Sequence, residues 1–314
     1  MQPQTRDRVR AVAKELGYRP NSMARGLVQQ RSFTLGLLTN DTYGRFTLPV
    51  AAGLSGAMVD RGISVFLASG QDDRDLTRLN LEALEEKRVD GLVISGKRID
   101  RALPIDLSNT GIPTVHVMSA CPEGGVGLAP DDFGGASAAT MHLLLESGRT
   151  RIAHLTGPED FQAARLREEG WRETLHAAGA RPWGAAIFGE WSEMHGFEAA
   201  HRMFGPDRTT EVPDAVFCGN DQIARGLIDG LTALGVRVPD DVAVVGFDNW
   251  ELFAKATRPP LTTVDMGLFE LGRQAGLTLL DMISGKPVPP GLTHTPTRLV
   301  VRESCGATRP ADAA

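Results

Sequence analysis

The sequence predicts an α/β fold of two doubly wound lobes, each on a parallel sheet, behind a short helical segment at the amino terminus. From Phe33 onward, apolar runs of strand length alternate with amphipathic stretches of helix length, the pattern of βαβ units. The alternation comes in two successive sets, which makes two lobes. Residues 1–31 stand apart in charge and in periodicity.

In that front segment Val9, Val12, Ala13 and Leu16 follow the i, i+3, i+4, i+7 spacing, with Gly17 as terminator and Pro20 beyond it. This spacing predicts a short amphipathic helix. Asn21 caps a second, marginal helix through Leu27. The first set then offers strands Thr34–Leu38, Ser64–Ala68, Val89–Ser95 and Pro113–Met118, with helices Val50–Arg61 and Asp73–Lys87. The second offers strands Arg151–Thr156, Ala185–Phe188, Ala215–Cys218 and Val242–Phe247, with helices Gly134–Ser147, Phe161–Ala178, Met194–Phe204 and Gln222–Leu234. The strands read apolar throughout, as parallel strands covered on both faces should. After Pro259-Pro260 come a long helix, Leu268–Ser284, a Pro-rich crossing and a last strand, Arg298–Arg302.

Composition narrows the function classes. A chain of 314 residues with 42% hydrophobic content can bury a real core. Its three cysteines lie far apart and without ligand spacing, so neither a disulfide framework nor a zinc module is expected. The front is polar, and no apolar run reaches the roughly 18 residues of a membrane span, so a cytoplasmic protein without a membrane partner is expected. Residues 1–31 carry seven Lys/Arg against two carboxylates, a balance of +5 that leaves −11 for the remainder. A cationic arm on an acidic body suits a polyanion such as nucleic acid; an ordinary solvated helix face is the alternative.

In open α/β sheets ligands bind beyond the carboxyl ends of the strands. There the sequence places Asn40-Asp41 through Phe46, Ser69 through Asp72, Met118, Glu190-Trp191, Gly219-Asn220-Asp221 and Phe247-Asp248-Asn249-Trp250. Aromatic faces beside carboxylates and amides suit a polyhydroxylated or heterocyclic small molecule in a cleft between lobes. No metal site, cofactor, nucleophile or base stands out. Gly91–Arg98 nearly matches the phosphate loop GxxxxGK[ST], but Arg98 replaces the hydroxyl and the start reads as strand. His116, within an apolar strand, reads as a core residue.

Several segments together resemble the lactose/galactose repressor (LacI/GalR) family of bacterial transcription regulators. Thr5-Arg6-Asp7-Arg8-Val9 through Asn21 is similar to the family's third DNA-domain helix, and Asn21-Ser22-Met23-Ala24-Arg25-Gly26-Leu27 to its hinge helix. Val89-Asp90-Gly91-Leu92, Asp131-Asp132, Val238-Pro239-Asp240-Asp241 through Asp248, and Pro259-Pro260-Leu261-Thr262-Thr263-Val264 continue the match. The resemblance implies two Rossmann-like lobes of the periplasmic-binding-protein type, crossed three times. These are a partial DNA-binding unit at 1–31, a first lobe of 32–130 plus 265–293, a second of 131–264 plus 294–306, and a disordered tail, 307–314. What precedes Thr5 is too short for the roughly 20 residues of a helix-turn-helix, so its first helices are not expected within this sequence.

By the same resemblance Arg167 grips effector hydroxyls or a carboxylate, Trp191 stacks on a sugar, and Asn220 and Asp248 are further polar contacts. Phe46 is a first-lobe aromatic of the site, with Asp41 beside it. Met118 stands where the family carries a hydroxyl-binding Asp. Asn21, Arg25 and Leu27 are the expected DNA contacts, Leu27 wedging between base pairs. The implied function is a homodimeric repressor, not an enzyme, binding operator DNA and a small effector, most simply a carbohydrate. The alternatives are a purine- or nucleoside-responsive regulator, a sugar receptor without DNA function, and an enzyme using Glu190 and Asp248 as paired carboxylates.

Overall fold

The computed structural model describes residues 31–41, 44–108, 110–206 and 211–307, together with Thr5, Arg8, Val12 and Glu15, which are helical and exposed. Asn21, Arg25 and Leu27, and the tail from 308 on, lie outside the described residues. Ala307, expected as the start of that tail, is half-buried against the core.

The first sheet is built from β1 (Thr34–Thr39), β2 (Ser64–Ser69), β3 (Gly91–Arg98), β4 (Thr114–Ser119), β5 (Val126–Pro130) and a late strand, β11 (Gly291–Thr295). Its order is β11-β5-β4-β3-β1-β2, parallel throughout. The second contains β6 (Ile152–Thr156), β7 (Ile187–Phe188), β8 (Ala215–Cys218), β9 (Ala243–Asp248), β10 (Thr262–Asp265) and β12 (Arg298–Val300). Its order is β12-β10-β9-β8-β6-β7, and only β12 runs antiparallel. The chain therefore passes between sheets near 131, 266 and 296.

Helices α1 (Thr47–Val59) and α2 (Arg74–Glu86) belong to the first lobe. The second holds α3 (Asp132–Leu145), α4 (Gln162–Ala177), α5 (Glu193–Phe204), α6 (Asp221–Ala233) and the short α7 (Glu251–Ala254), while α8 (Leu268–Ile283) returns to pack on α1. Four of these helices begin at a side-chain cap that satisfies an otherwise orphan amide. Asp73 accepts from Leu76 N, Asp131 from Gly134 N, Ser192 from His195 N and Asn220 from Ile223 N.

Alternate residues of a strand serve opposite faces, so Val93 joins one apolar cluster while Leu92 and Ile94 join another. The Val93 cluster also includes Phe217 and Phe247 of the second sheet, so it is common to both lobes. Full burial of each such side chain stabilises by about 1.5–3 kcal/mol. The edge strand β2 departs from the expectation of strands covered on both faces, with Phe66 and Leu67 47% and 51% exposed. Gly91–Arg98 is wholly strand, which leaves no loop to cradle a phosphate. His116 is buried, as a core residue should be.

Candidate functional site

Where the strand ends of the two lobes face each other lies a cavity of about 220 Å³, lined by Phe46, Met118, Asp132, Arg167, Trp191, Asn220 and Asp248 among others. Two non-glycine residues of this wall have left-handed backbone: Met118 at φ 49° and Asp248 at φ 106°. Such conformations cost energy and concentrate at ligand sites.

Arg167 rises from α4 into the centre. Its Nε donates to Asp132 Oδ1 at 2.8 Å, its Nη1 donates to the Gly219 carbonyl, and Asp248 Oδ1 lies 3.6 Å from Nη1. The guanidinium lies 3.7 Å from the Phe247 ring centroid. Arg167 thus holds two carboxylates from α3 and β9 at fixed places, with its own donors engaged by the protein. Burial pushes the Asp132 carboxyl up, and neighbouring Arg167 pulls it back.

Trp191 lies over the backbone of Gly157, where an added Cβ would collide with the indole. Phe161 meets its edge at 6.0 Å. The indole therefore forms a flat wall of the cavity. Asn220 caps α6 through its carbonyl oxygen and lines the cavity as well, so its amide nitrogen is the part left to a ligand.

Asp41 does not line the cavity. Its Oδ2 accepts from Phe46 N at 2.8 Å and Thr47 N at 3.0 Å, so it sets the turn that carries Phe46 inward. Glu190 is exposed and away from the cavity, so it forms no carboxylate pair with Asp248 across it.

Asp132, Phe161 and Arg45 are among the wall residues that the sequence does not single out. Asp132 sat beside a good helix cap and was legible only as part of a motif. Arg45 lay within the strand-end run but lacked a visible partner. It crosses from the first lobe to ion-pair with Asp248 and to donate to Gln222 Oε1 at 2.7 Å. Its guanidinium sits 4.8 Å from the Phe46 centroid and 5.0 Å from that of Trp250. Burial pushes Arg45 down to about 10, nearby Arg167 adds to that push, and Asp221 and Asp41 oppose it.

Every cation on the cavity wall has a carboxylate partner: Arg167 with Asp132, Arg45 with Asp248, and Lys97 with Asp72 at 2.7 Å. The wall offers a ligand hydrogen-bonding groups and aromatic faces, without uncompensated positive charge. Among the described residues no cluster of His, Cys, Asp and Glu could hold a metal, and no helix is long and apolar enough to cross a membrane.

A two-lobed α/β molecule with a polar, aromatic-walled cleft at its strand ends belongs to the class of periplasmic-binding-protein-like ligand-binding proteins, and the model of the periplasmic binding protein-like domain matches residues 141–305. The chain is 34% identical over 311 residues to the transcriptional regulator CelR of Thermobifida fusca, across 96% of this chain and 90% of that one. It is 35% identical to the ribose operon repressor of Escherichia coli, with 88% and 83% covered. A structure of a CelR–cellobiose complex matches with TM-score 0.71 at 31% identity (97% and 91% covered). The lac repressor dimer bound to operator and an anti-inducer matches with TM-score 0.75 at 28% identity (97% and 91% covered). The chain belongs to the LacI/GalR family of transcription regulators.

Proposed function

We propose that the cleft binds an uncharged carbohydrate and that this binding changes the affinity of a cytoplasmic homodimer for operator DNA, so that the protein acts as a sugar-responsive repressor. The observation that carries the sugar reading is the Trp191 indole beside the Asp132–Arg167–Asp248 array, in a wall whose cations are already paired. A pyranose presents a C–H face to an aromatic ring and hydroxyl donors to carboxylates, whereas a phosphate would meet Asp132 and Asp248 without a spare cation. Similarity to a ribose operon repressor and to a cellobiose-bound regulator supports this choice.

Coupling requires that the sugar bind one lobe arrangement better than another, by about 1–3 kcal/mol in typical systems. The arrangement would be read by the basic segment, with Asn21, Arg25 and Leu27 as the residues that meet DNA. The exposed Leu48 and Val59 of α1, Phe66 of β2 and Phe269 of α8 supply an apolar surface for the second copy. A Phe66→Asp chain is expected to sediment as a monomer where the parent is a dimer.

A thermal-shift screen with neutral sugars, sugar phosphates and nucleosides tests the reading, since a ligand bound only by the folded state raises the Tm. Neutral sugars are expected to raise it and sugar phosphates to leave it. Trp191→Ala should weaken the bound sugar at least tenfold while operator binding persists. A shift from nucleosides alone, or equal sugar affinity in Trp191→Ala and parent, would overturn the assignment.

A further inference from the structure

A second cavity of about 280 Å³ adjoins the first, and the two share Arg45, Phe46, Asp248 and Met266 as their common wall; Trp250 and Glu251 line the far side. Neither space alone reaches the roughly 300–1,000 Å³ usual for ligand sites, and joined they do. Within that common wall the Arg45 guanidinium lies near the rings of both Phe46 and Trp250.

We infer that the effector carries a second ring, making it a disaccharide or glycoside, and that this ring enters the adjoining cavity by displacing Arg45 from the face of Trp250. This rests on the sugar reading of the first cavity. Arg45 is a poor permanent occupant. It is a largely buried cation whose Nε has no hydrogen-bond partner, and burial already lowers its proton affinity. It springs from the short turn ahead of α1 on a long, flexible stem, which can carry the charge out to water. An uncharged ring in its place would stack its C–H face on Trp250, whose ring packs against Phe253 at 4.4 Å. The hydroxyls of that ring would donate to the Asp248 carboxylate that Arg45 vacates.

The polar groups of the second cavity choose the chemistry of the ring. When ionised, Asp248 and Glu251 can only accept, Glu251 Oε1 already pairing with Lys255 at 2.7 Å, and the Asn249 amide is spent on Arg302 at 2.8 Å and Asp265 at 3.2 Å. Acceptors of this kind call for a ring bearing a donor at nearly every carbon, which a second sugar has and a purine base does not.

Titration calorimetry on the full chain tests this with glucose, galactose and xylose against cellobiose, lactose and xylobiose, and with adenosine. One disaccharide is expected to bind at least tenfold tighter than its own monosaccharide. Trp250→Ala should remove that advantage while leaving monosaccharide affinity within about twofold, and Trp250→Phe, which keeps a flat face, should retain part of it. Arg45→Ala should raise the ratio of disaccharide to monosaccharide affinity, and this keeps the test decisive if melting curves show that Trp250→Ala does not fold. The inference is overturned if a monosaccharide binds as tightly as every disaccharide, if Trp250→Ala weakens both alike, or if Arg45→Ala leaves or lowers the ratio. Adenosine binding with no sugar binding would overturn the sugar reading itself, and this inference with it.

Discussion

Two buried titratable residues pull the stability of the fold in opposite directions with pH. Asp221 sits beneath Trp250, accepting from its backbone N–H at 2.7 Å and from Thr263 Oγ1 at 2.5 Å. Burial nevertheless pushes its carboxyl up to about 7. His154 lies between Trp171 and Phe217, with ring centroids 5.4 and 4.7 Å away, and burial pushes it down to about 3. Between about pH 4 and 7 an unfolded Asp221 is ionised while the folded one holds its proton, so this residue's contribution falls as pH rises. Between about pH 6.5 and 3 an unfolded His154 takes up a proton that the folded one refuses, so its contribution falls as pH drops. At about 1.4 kcal/mol per pH unit for each group, the two slopes nearly cancel across the window they share. Asp221→Asn removes one slope and is expected to unmask the other, losing roughly 2 kcal/mol more than the parent between pH 7 and pH 5 in urea unfolding. Parallel pH dependence in the two proteins would contradict the assignment.

At the scale of elements, the contact between α1 and α8 depends on glycines. An added Cβ on Gly272 would strike the Val50 carbonyl, and one on Gly53 would strike that of Phe269. Side chains wedged into such a crossing cost typically about 1–3 kcal/mol, so Gly272→Ala is expected to lower unfolding free energy by about that much. Because Gly272 lies away from the cavity, sugar affinity measured by calorimetry should stay within about twofold. The helices were legible in the sequence because caps and spacing are local: Asp73, Asp131, Ser192 and Asn220 each mark a start. The strands β5, β10 and β11 were not. Val126–Pro130 contains a glycine and ends in proline, Thr262–Asp265 is polar, and Gly291–Thr295 is mostly exposed. Each is a strand because of a partner, and β11 finds its partner in β5, some 165 residues earlier. The cavity wall divides in the same way. Trp191, Asn220, Asp248 and Phe46 stand at strand ends that local pattern can place, whereas the roles of Arg45 and Asp132 come from ion pairs to residues remote in sequence.

Across the whole molecule, polar contacts among the described residues join the lobes on two unequal sides of the cleft. On one side Arg98 of the first lobe donates to Asp160 Oδ2 at 2.9 Å and lies 3.8 Å from the Phe161 centroid, but Asp160 is 70% exposed. Exposed pairs of this kind are worth about 0–1 kcal/mol. On the other side Arg45 and Asp248 are both largely buried, at 13% and 4% exposure. Removing Arg45 leaves the buried Asp248 with Arg167, 3.6 Å away, as its remaining ion-pair partner, and breaking a buried pair typically costs about 3–5 kcal/mol. The molecule can recover much of that cost by opening the cleft and hydrating the carboxylate, a hinge motion of the kind two-lobed ligand-binding proteins use. Arg45→Ala is therefore expected to increase the radius of gyration in small-angle scattering without ligand and to return to the parent value when a tight-binding sugar closes it. Arg98→Ala should scatter like the parent in both conditions, because a shift of about 1 kcal/mol changes the ratio of closed to open forms only about fivefold. Equal expansion in both variants would mean that the exposed link holds the lobes as firmly as the buried one. No expansion in either would place the closing energy in the shared apolar cluster around Met266 and Phe247 instead.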